Sequence, residues 1–447
     1  MNFQGIDRIY SRIASAIRER LVLVPARLSV PAWLVGTAST ALILLFGSFI
    51  AGCTTTNWRL TATPMQDART GHTATKLPDG TVLIVGGRND TAGLATVERY
   101  NPSTNQWTQM PSMSMPRYGH TATLLSDGTV LVVGGLQQLN GKKGTDTTER
   151  FNPITNTWTR DKSMHVGRWL HEAVLLANDQ VLVIGTGNTQ SASDQRSVEL
   201  FDKASDTWTH RASPTMAHTK GTASLLPNGT VVLAGGFEGE YDGSTVAMVA
   251  YSERYDPVAD SWSELALLNE SPYGQTASVM PDGSILLAGG RDTGQTYQST
   301  LRYLPQLRTG MNYQSNLWQQ AGDMLEARTD HTEDVLVDGT VLVTGGFQGC
   351  MDTHVKVQQC AKSLNTTEIF TPNPDSIVTG TWSTHDAMHD LRGNHTTTLI
   401  HPTPSSCAIL AVGGWTWQFN AGQQALNTAE FLPVPCLYKK EPIRTHF

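Results

Sequence analysis

Apolar and polar positions along the chain form short runs that return at a fixed period. Residues 71–87 read GHTATKLPDGTVLIVGG, and residues 119–135 read GHTATLLSDGTVLVVGG, 48 positions later. The run TVLIVGG is rich in β-branched residues and apolar at successive positions, which is typical of a strand buried on both faces. A Pro-Asp-Gly turn joins it to the strand GHTATKL. The pattern therefore predicts a repeated β-hairpin and a repeat architecture.

The unit occurs seven times. A diglycine, or Gly-Thr-Gly in one unit, begins at positions 86, 134, 185, 235, 289, 345 and 413. A Trp recurs at Trp58, Trp107, Trp158, Trp208, Trp262, Trp318 and Trp382. A third strand reads VERYNP and returns as TERFNP, VELFDK, SERYDP and TEIFTP. Four short strands in about 50 residues are the signature of a propeller blade.

The diglycine, the Glu-x-aromatic-[Asn/Asp]-Pro segment and the Trp resemble the kelch repeat over about residues 56–435. The resemblance implies an all-β, seven-bladed β-propeller, which we place at 56–438 with a tail at 439–447, and it implies no activity. Trp58 precedes any blade of its own, whereas the seventh unit has no Trp strand after it. We therefore expect residues 56–63 to form the outer strand of the seventh blade and close the ring. Six blades with a stray N-terminal strand is the competing count.

Length variation points to one face of this propeller. The loops between second and third strands, and the crossings between blades, lie on the same face, here called the upper face. From the first Gly to the Glu position of the third strand the distance ranges from 12 to 23 residues, whereas the first-to-second turns are nearly constant. Insertions therefore gather on the upper face, where the first strands also begin beside the central channel, and we expect function there.

The channel mouth supplies the candidate ligand-binding residues, and five of the seven units have Arg three positions before the His of GHT. The candidates are Arg69, Arg117, Tyr118, Arg168, Trp169, His218, Tyr273, Gln275, Arg328, Arg392 and Trp415. The arginines could form a cationic collar for a carboxylated sugar or an acidic peptide. The alternative is a scaffold ion pair in each blade, because six of seven third strands carry a Glu.

Departures from the repeat are the more informative positions. Blade four has His218 and Gly221 where Arg and His recur, and blade five has Pro272 and Gln275. The recurring histidines lie on separate blades, so structural hydrogen bonding is favoured for them and no metal or cofactor is expected. The recurring set is His72, His120, His171, His331 and His395.

The nearest enzymes with this repeat are copper-radical oxidases similar to galactose oxidase. Their site needs a Tyr cross-linked to Cys, a Tyr followed by His, and a further His from a C-terminal domain. Here no Cys lies between Cys53 and Cys350 and no Tyr-His dipeptide occurs, so that site is absent. We therefore expect a monomeric binding module for an unknown cell-surface glycan or protein, with no catalytic residues. The alternative is a metal-independent sugar-processing enzyme resembling sialic-acid mutarotases.

The distribution of charge and the position of the first cysteine indicate where in the cell the protein is located. The net charge of −7 gives no sign of a nucleic-acid binder, and no nucleic-acid partner is expected. A basic leader at 1–29 precedes an apolar segment at 30–52, which predicts a cytoplasmic N-terminus and an exported body. Residues 50–53, Ile-Ala-Gly-Cys, resemble a bacterial lipobox, so Cys53 is expected to be lipidated and to begin a linker at 53–55. An uncleaved single-span anchor is the alternative, and both place the body outside the cytoplasmic membrane, in the periplasm or at the cell surface.

The four remaining cysteines can pair, because an exported location permits disulfides. Proximity favours Cys350 with Cys360 and Cys407 with Cys436. Unpaired buried thiols are the alternative.

Overall fold

The computed structural model describes residues 57–139, 141, 143–187, 191–239, 247–270, 272–305, 317–349, 362–418 and 422–436. The leader, the apolar segment, Cys53, the Cys350–Cys360 pair and the tail from 439 lie outside these ranges. Within them, no helix is both long and apolar enough to cross a bilayer.

Seven four-stranded antiparallel sheets make up the described chain, and each is one blade. The innermost strands of blades one to seven are β2 (Thr73–Lys76), β6 (Thr121–Leu124), β10 (Glu172–Leu175), β14 (Thr222–Leu225), β20 (Thr276–Val279), β24 (Thr332–Val335) and β30 (Thr396–Thr403). The second strands are β3 (Val82–Val85), β7 (Val130–Val133), β11 (Val181–Ile184), β15 (Val231–Ala234), β21 (Ile285–Ala288), β25 (Val341–Thr344) and β31 (Ser406–Val412).

The third strands are β4 (Val97–Asn101), β8 (Thr148–Asn152), β12 (Val198–Asp202), β18 (Ser252–Asp256), β22 (Thr300–Tyr303), β28 (Thr367–Pro372) and β34 (Ala429–Val434). The outer strands are β5 (Gln106–Met110), β9 (Thr157–Asp161), β13 (Thr207–Arg211), β19 (Ser261–Glu264), β23 (Trp318–Gln320), β29 (Gly380–His385) and, in blade seven, β1 (Arg59–Leu60). Each inner strand contacts the inner strand of the next blade, and β30 contacts β2. The result is the predicted closed, seven-bladed β-propeller.

The second strands are continuously apolar because both of their faces are buried. In β3, Val82 and Ile84 pack against Leu410 of blade seven, whereas Leu83 and Val85 pack against blade two. Successive side chains of a strand point to opposite faces, so one strand serves two interfaces. This arrangement is the physical basis of the TVLIVGG signal.

The N-terminal strand closes the ring, as predicted. In β1, Arg59 pairs with Phe431 and Leu60 pairs with Glu430 of β34. The Trp58 indole is 2% exposed, and its Nε1 donates to the Asp386 carbonyl of blade six at 2.9 Å. Other outer-strand Trp residues make the same kind of bond to the preceding blade, for example Trp208 to the Lys162 carbonyl. Trp58 is therefore the Trp of blade seven.

The long upper-face loops contain the remaining secondary structure. Three of them form two-stranded hairpins: β16 (Phe237–Glu238) with β17 (Ala247–Met248), β26 (Phe347–Gln348) with β27 (Lys362–Ser363), and β32 (Trp415–Gln418) with β33 (Gly422–Ala425). Blade three has a short helix, α1 (Ala192–Gln195), in the same position. In blade seven, Cys407 and Cys436 form the predicted disulfide between the strand β31 and the segment after β34.

Candidate functional site at the channel mouth

The five recurring arginines lie inside the blades. Arg69, Arg117, Arg168, Arg328 and Arg392 are all 0% exposed. In each case Nη1 donates to the carbonyl of the first Gly of the diglycine position, and Nη2 donates to the third-strand Glu at 2.5–2.8 Å. A buried guanidinium group is stable only when its donors are satisfied in this way. The cationic-collar interpretation is therefore wrong for these side chains, and the ion-pair alternative describes them.

Two further candidates are also buried by the scaffold. His218 replaces the Arg in blade four; it is 6% exposed, and its Nδ1 donates to the Gly235 carbonyl at 2.6 Å. Burial lowers the pKa of His218 to about 4, so the ring is neutral. Gln275 is equally buried, and its Nε2 donates to the Ala234 carbonyl at 2.9 Å. Neither side chain presents its polar end to a ligand.

The five recurring histidines bond neighbouring blades together. Each places Nε2 at 2.8–3.2 Å from a Thr hydroxyl on the inner strand of the preceding blade: His72 with Thr396, His120 with Thr73, His171 with Thr121, His331 with Thr276, and His395 with Thr332. Burial, reinforced by nearby arginines, lowers the pKa of each imidazole, that of His120 to about 3. These residues serve the structural role that the sequence favours.

This inter-blade pairing is interrupted between blades three and four. Blade three has Glu172 where the other six inner strands have Thr, and blade four has Gly221 where five blades have His. A Cβ atom on Gly221 would lie 2.8 Å from the Ala234 carbonyl oxygen, so a histidine does not fit. Burial raises the pKa of Glu172 to about 8. The sequence marks Glu172 as unusual, because it is the one acidic residue at an inner-strand position where the other six blades have Thr.

Blade six brings two more carboxyl groups onto an inner strand. Burial raises the pKa of Glu333 to about 7 and that of Asp334 to about 6. Glu333 Oε2 accepts a hydrogen bond from the Thr276 hydroxyl at 2.5 Å. With Glu172, these residues give the channel wall three carboxyl groups that hold their protons more tightly than exposed ones. None of the three belongs to the sequence-predicted residues of the channel mouth.

A ring of seven residues surrounds the mouth, each directly before the His position. All seven have φ between 50° and 67°: Gly71, Gly119, Leu170, Lys220, Gly274, Asp330 and Asn394. Backbone amides link them, as in Gly274 to the Lys220 carbonyl at 3.0 Å and Asp330 to the Gly274 carbonyl at 2.8 Å. Side chains at such φ values cost about 1 kcal/mol or more and cluster at functional sites. We call these seven residues the mouth ring.

Two members of the mouth ring form an ion pair above a third. Lys220 Nζ lies 2.9 Å from Asp330 Oδ1, and the two side chains are 14% and 11% exposed. The pair joins blade four to blade six and passes over Gly274 of blade five. A larger side chain at position 274 would meet the Thr329 hydroxyl, 2.6 Å from its Cβ atom.

Next to the mouth ring, an arginine stacks between two aromatic residues from different blades. Arg88 of blade one has its Cζ 3.9 Å from the ring centroid of Trp415 and 5.6 Å from that of Tyr118. All three side chains are half-buried. Arg291 makes a similar contact with Tyr273, at 4.7 Å. We call Arg88, Trp415 and Tyr118 the aromatic–arginine stack.

Arg88 and Trp415 differ from the residues that most other blades have directly after the diglycine. In blades two, four and six the equivalent residues are Leu136, Phe237 and Phe347, each 2% exposed. Blades one and seven carry the half-buried Arg88 and Trp415 instead. Of the sequence candidates, Tyr118 and Trp415 therefore retain partly exposed rings at the mouth, whereas Trp169 and Tyr273 are only 8% exposed.

A cavity of about 770 Å³ opens between the upper loops of blades two and three. Its lining includes Gln138, Lys143, Asp146, His165 and Asp194. It is polar and carries both signs of charge. It lies over the inter-blade crossing into blade three, and the sequence offered no signal for it beyond the lengthened loop.

Comparisons with known proteins agree with this architecture. The family model described as the Attractin/LZTR1 β-propeller matches residues 49–246. Mouse Kelch-like protein 35 is 26% identical over 269 residues, which are 59% of this chain and 41% of the relative. Human Kelch-like protein 23 is 25% identical over 233 residues, 52% of this chain and 38% of the relative. The chain thus spans about two fifths of the length of the curated relatives it matches.

A solved structure extends the likeness to most of the chain. A fungal alcohol oxidase of the AA5 family, in complex with copper, superposes with a TM-score of 0.64 at 17% identity, covering 86% of this chain and 78% of the oxidase. At this identity the likeness concerns the fold alone.

Together these findings support a kelch-type β-propeller with seven blades, distantly similar in fold to the propeller of galactose oxidase. The fold is consistent with a protein-binding module.

Proposed function

We propose that the protein is an exported, membrane-tethered binding module that holds a protein or a glycan of the cell envelope at its upper face. The aromatic–arginine stack carries this proposal. Trp, Tyr and Arg are the residue types most enriched among those that dominate protein–protein binding energy. Here one of each meets at the mouth, and two of them, Arg88 and Trp415, stand where blades two, four and six have buried Leu or Phe.

The stack favours a protein partner over a glycan. Its guanidinium group contacts the Trp415 ring and lies within cation–π distance of the Tyr118 ring, so a partner meets a surface with less rotamer entropy left to lose. The Lys220–Asp330 pair of the mouth ring adds both signs of charge, which suits a polar protein surface. A glycan that stacks on Trp415 is the other outcome of the test.

Binding measurements on mouth variants test the proposal. The purified full-length protein is presented to a glycan array and to isolated envelope proteins, and the affinity of each ligand is measured. We expect Arg88→Ala and Trp415→Ala to weaken binding at least about tenfold, as for interface hot spots. Arg160→Ala, an exposed change on the outer strand of blade two, is the matched control. A ligand whose affinity both mouth variants leave unchanged contradicts the site.

The sugar-processing alternative gains support from one observation, the raised pKa of Glu172. A carboxyl group with a pKa of about 8 is protonated at neutral pH and can act as a general acid. Interconversion of acidic-sugar anomers, followed by NMR, tests this function with Glu172→Gln as the control. Absence of turnover across acidic sugars rules it out.

The tether is testable separately. The basic leader, the apolar segment and the Ile-Ala-Gly-Cys sequence support lipidation at Cys53. We expect Cys53→Ser to abolish labelling by a fatty-acid probe in cells. Continued labelling of this variant contradicts the lipid anchor and favours an uncleaved apolar segment.

A further inference from the structure

Two exposed histidines, His165 and His210, contact each other on the protein surface at blade three. His165 belongs to the crossing between β9 and β10, and His210 lies on the outer strand β13. Their ring centroids are 4.4 Å apart with an interplanar angle of 34°. Both are exposed, and each places a ring nitrogen within 4.8 Å of the other and of a Glu199 carboxylate oxygen. This juxtaposition brings three metal-ligating residue types together.

Glu199 holds His165 in a defined orientation. Its Oε1 accepts hydrogen bonds from Arg168 Nη2 at 2.7 Å and from the Val166 amide at 3.1 Å. Its Oε2 accepts from the His165 amide at 2.8 Å and lies 2.7 Å from His165 Nδ1. Because Nδ1 donates to the carboxylate, Nε2 carries the lone pair. A carboxylate that orients a histidine in this way is the usual outer partner of a metal ligand.

No other blade with a third-strand Glu combines these two histidines. The residues whose amides meet the Glu in the manner of His165 are Gln66, Ser114, Thr215, Leu325 and His389. The outer-strand residues opposite the Glu in the manner of His210 are Gln109, Arg160, Glu264, Thr384 and Leu60. The repeat therefore does not require a histidine at either position.

Blade seven supplies a natural comparison. His389 Nδ1 lies 3.0 Å from Glu430 Oε2, so it repeats the arrangement of His165. The residue opposite Glu430 is Leu60, which cannot bind a metal. Blade seven thus has the oriented histidine without the second ligand.

We propose that His165 Nε2 and His210 bind a divalent transition-metal ion, with Glu199 as the orienting carboxylate. Imidazole ligands suit Zn²⁺, Cu²⁺ and Ni²⁺ and discriminate against Mg²⁺ and Ca²⁺, which take oxygen ligands. Arg168 already neutralises Glu199, so the two imidazoles are the ligands. His165 also lines the 770 Å³ cavity, and the remaining coordination positions face water or a donor group bound there.

Metal titration of the untagged, full-length protein tests the site. After treatment with EDTA and its removal, Zn²⁺ is added and binding is followed by calorimetry. We expect His210→Ala to remove one equivalent of bound Zn²⁺ or weaken its affinity at least tenfold. His389→Ala should leave the titration unchanged, and Mg²⁺ should give no signal at the same concentrations.

Thermal unfolding separates metal binding from a folding defect. His210 is exposed, so its replacement should leave the melting temperature of the metal-free protein unchanged. Zn²⁺ should raise that temperature in the wild type and in His389→Ala, but not in His210→Ala. Equal Zn²⁺ titrations for the wild type and His210→Ala, or equal losses in His210→Ala and His389→Ala, would overturn the proposal.

Discussion

Lys220 and Asp330 are 110 residues apart in the chain, and their side chains meet at 2.9 Å above the backbone of Gly274. The ion pair connects two blades that are not neighbours in the ring. It is mostly buried, so it is shielded from salt more than a surface pair would be. It therefore stiffens the blade-five side of the mouth.

Breaking this ion pair should destabilise the propeller, and the effects of replacing its two residues should not be additive. We expect Lys220→Met and Asp330→Asn each to lower the free energy of unfolding, because each removes one partner of a largely buried ion pair. In a double-mutant cycle measured by urea unfolding, the coupling energy should be about 1–3 kcal/mol. Additive losses would show that the two charges do not interact.

The buried Arg–Glu pairs make a second prediction. Arg117→Met leaves the Glu149 carboxylate buried without its cation, which should cost about 3–5 kcal/mol of unfolding free energy. Arg160 is exposed on the adjacent outer strand, opposite Glu149, and Arg160→Met should cost about 1 kcal/mol or less. A loss below about 1 kcal/mol for Arg117→Met, measured in urea, would be inconsistent with a structural ion pair.

Acid should weaken the fold beginning near neutral pH. Six buried histidines are neutral in the folded state with lowered pKa values, namely His72, His120, His171, His218, His331 and His395. Their unfolded pKa is about 6.5, so only the unfolded chain takes up these protons as the pH falls below that value. The stability they contribute is complete above pH 6.5 and is lost on acidification.

The raised carboxyl pKa values act in the opposite direction. Three carboxyl groups keep their protons in the folded state to a higher pH than in the unfolded chain: Glu172 to about pH 8, Glu333 to about pH 7 and Asp334 to about pH 6. The stability that they contribute is therefore lost as the pH rises toward those values. Because six histidines outnumber three carboxyl groups, the melting temperature should fall as the pH is lowered from 6.5 to 4.5. Glu172→Gln should raise it at pH 9 and leave it nearly unchanged at pH 4. A melting temperature that rises from pH 6.5 to 4.5 would contradict the assignment of neutral buried histidines.

Ring closure makes a fourth prediction. Trp58 is buried in blade seven, and Trp58→Ala removes both its packing and its bond to Asp386, at a cost of about 3–5 kcal/mol. Trp107 is only half-buried, so Trp107→Ala is the milder control. Equal small losses, measured by urea unfolding, would argue against closure by the N-terminal strand.

The blades could be predicted from the sequence because each second strand is buried on both faces and each turn uses the same chemistry. The closing strand was predictable from Trp58, which had no other blade to join. The sequence could not decide whether the arginines are buried or face the channel. The direction of each side chain depends on its partner, as for Arg117 and Glu149, which are 32 residues apart. Only the fold brings such residues together.

The mouth could be predicted only in part. Tyr118 and Trp415 were among the candidates named from the sequence at the channel mouth, and both lie there. Arg88 also lies on the upper face, but its place between them depends on ring closure, since Trp415 is at the far end of the chain. The His165–His210 pair was missed because one residue lies in an inter-blade crossing and the other on an outer strand, and neither belongs to the repeat motif.

Site-specific cross-linking in cells is the most direct test of the upper face as the binding surface. A photoreactive amino acid is placed at Gln138, exposed on the upper loop of blade two, or at Ile154, which is 86% exposed in the turn between the third and outer strands of that blade. We predict a discrete cross-linked partner from position 138 that disappears with Arg88→Ala, and none from position 154. A partner captured only from position 154, or one captured from position 138 regardless of Arg88, would contradict the account.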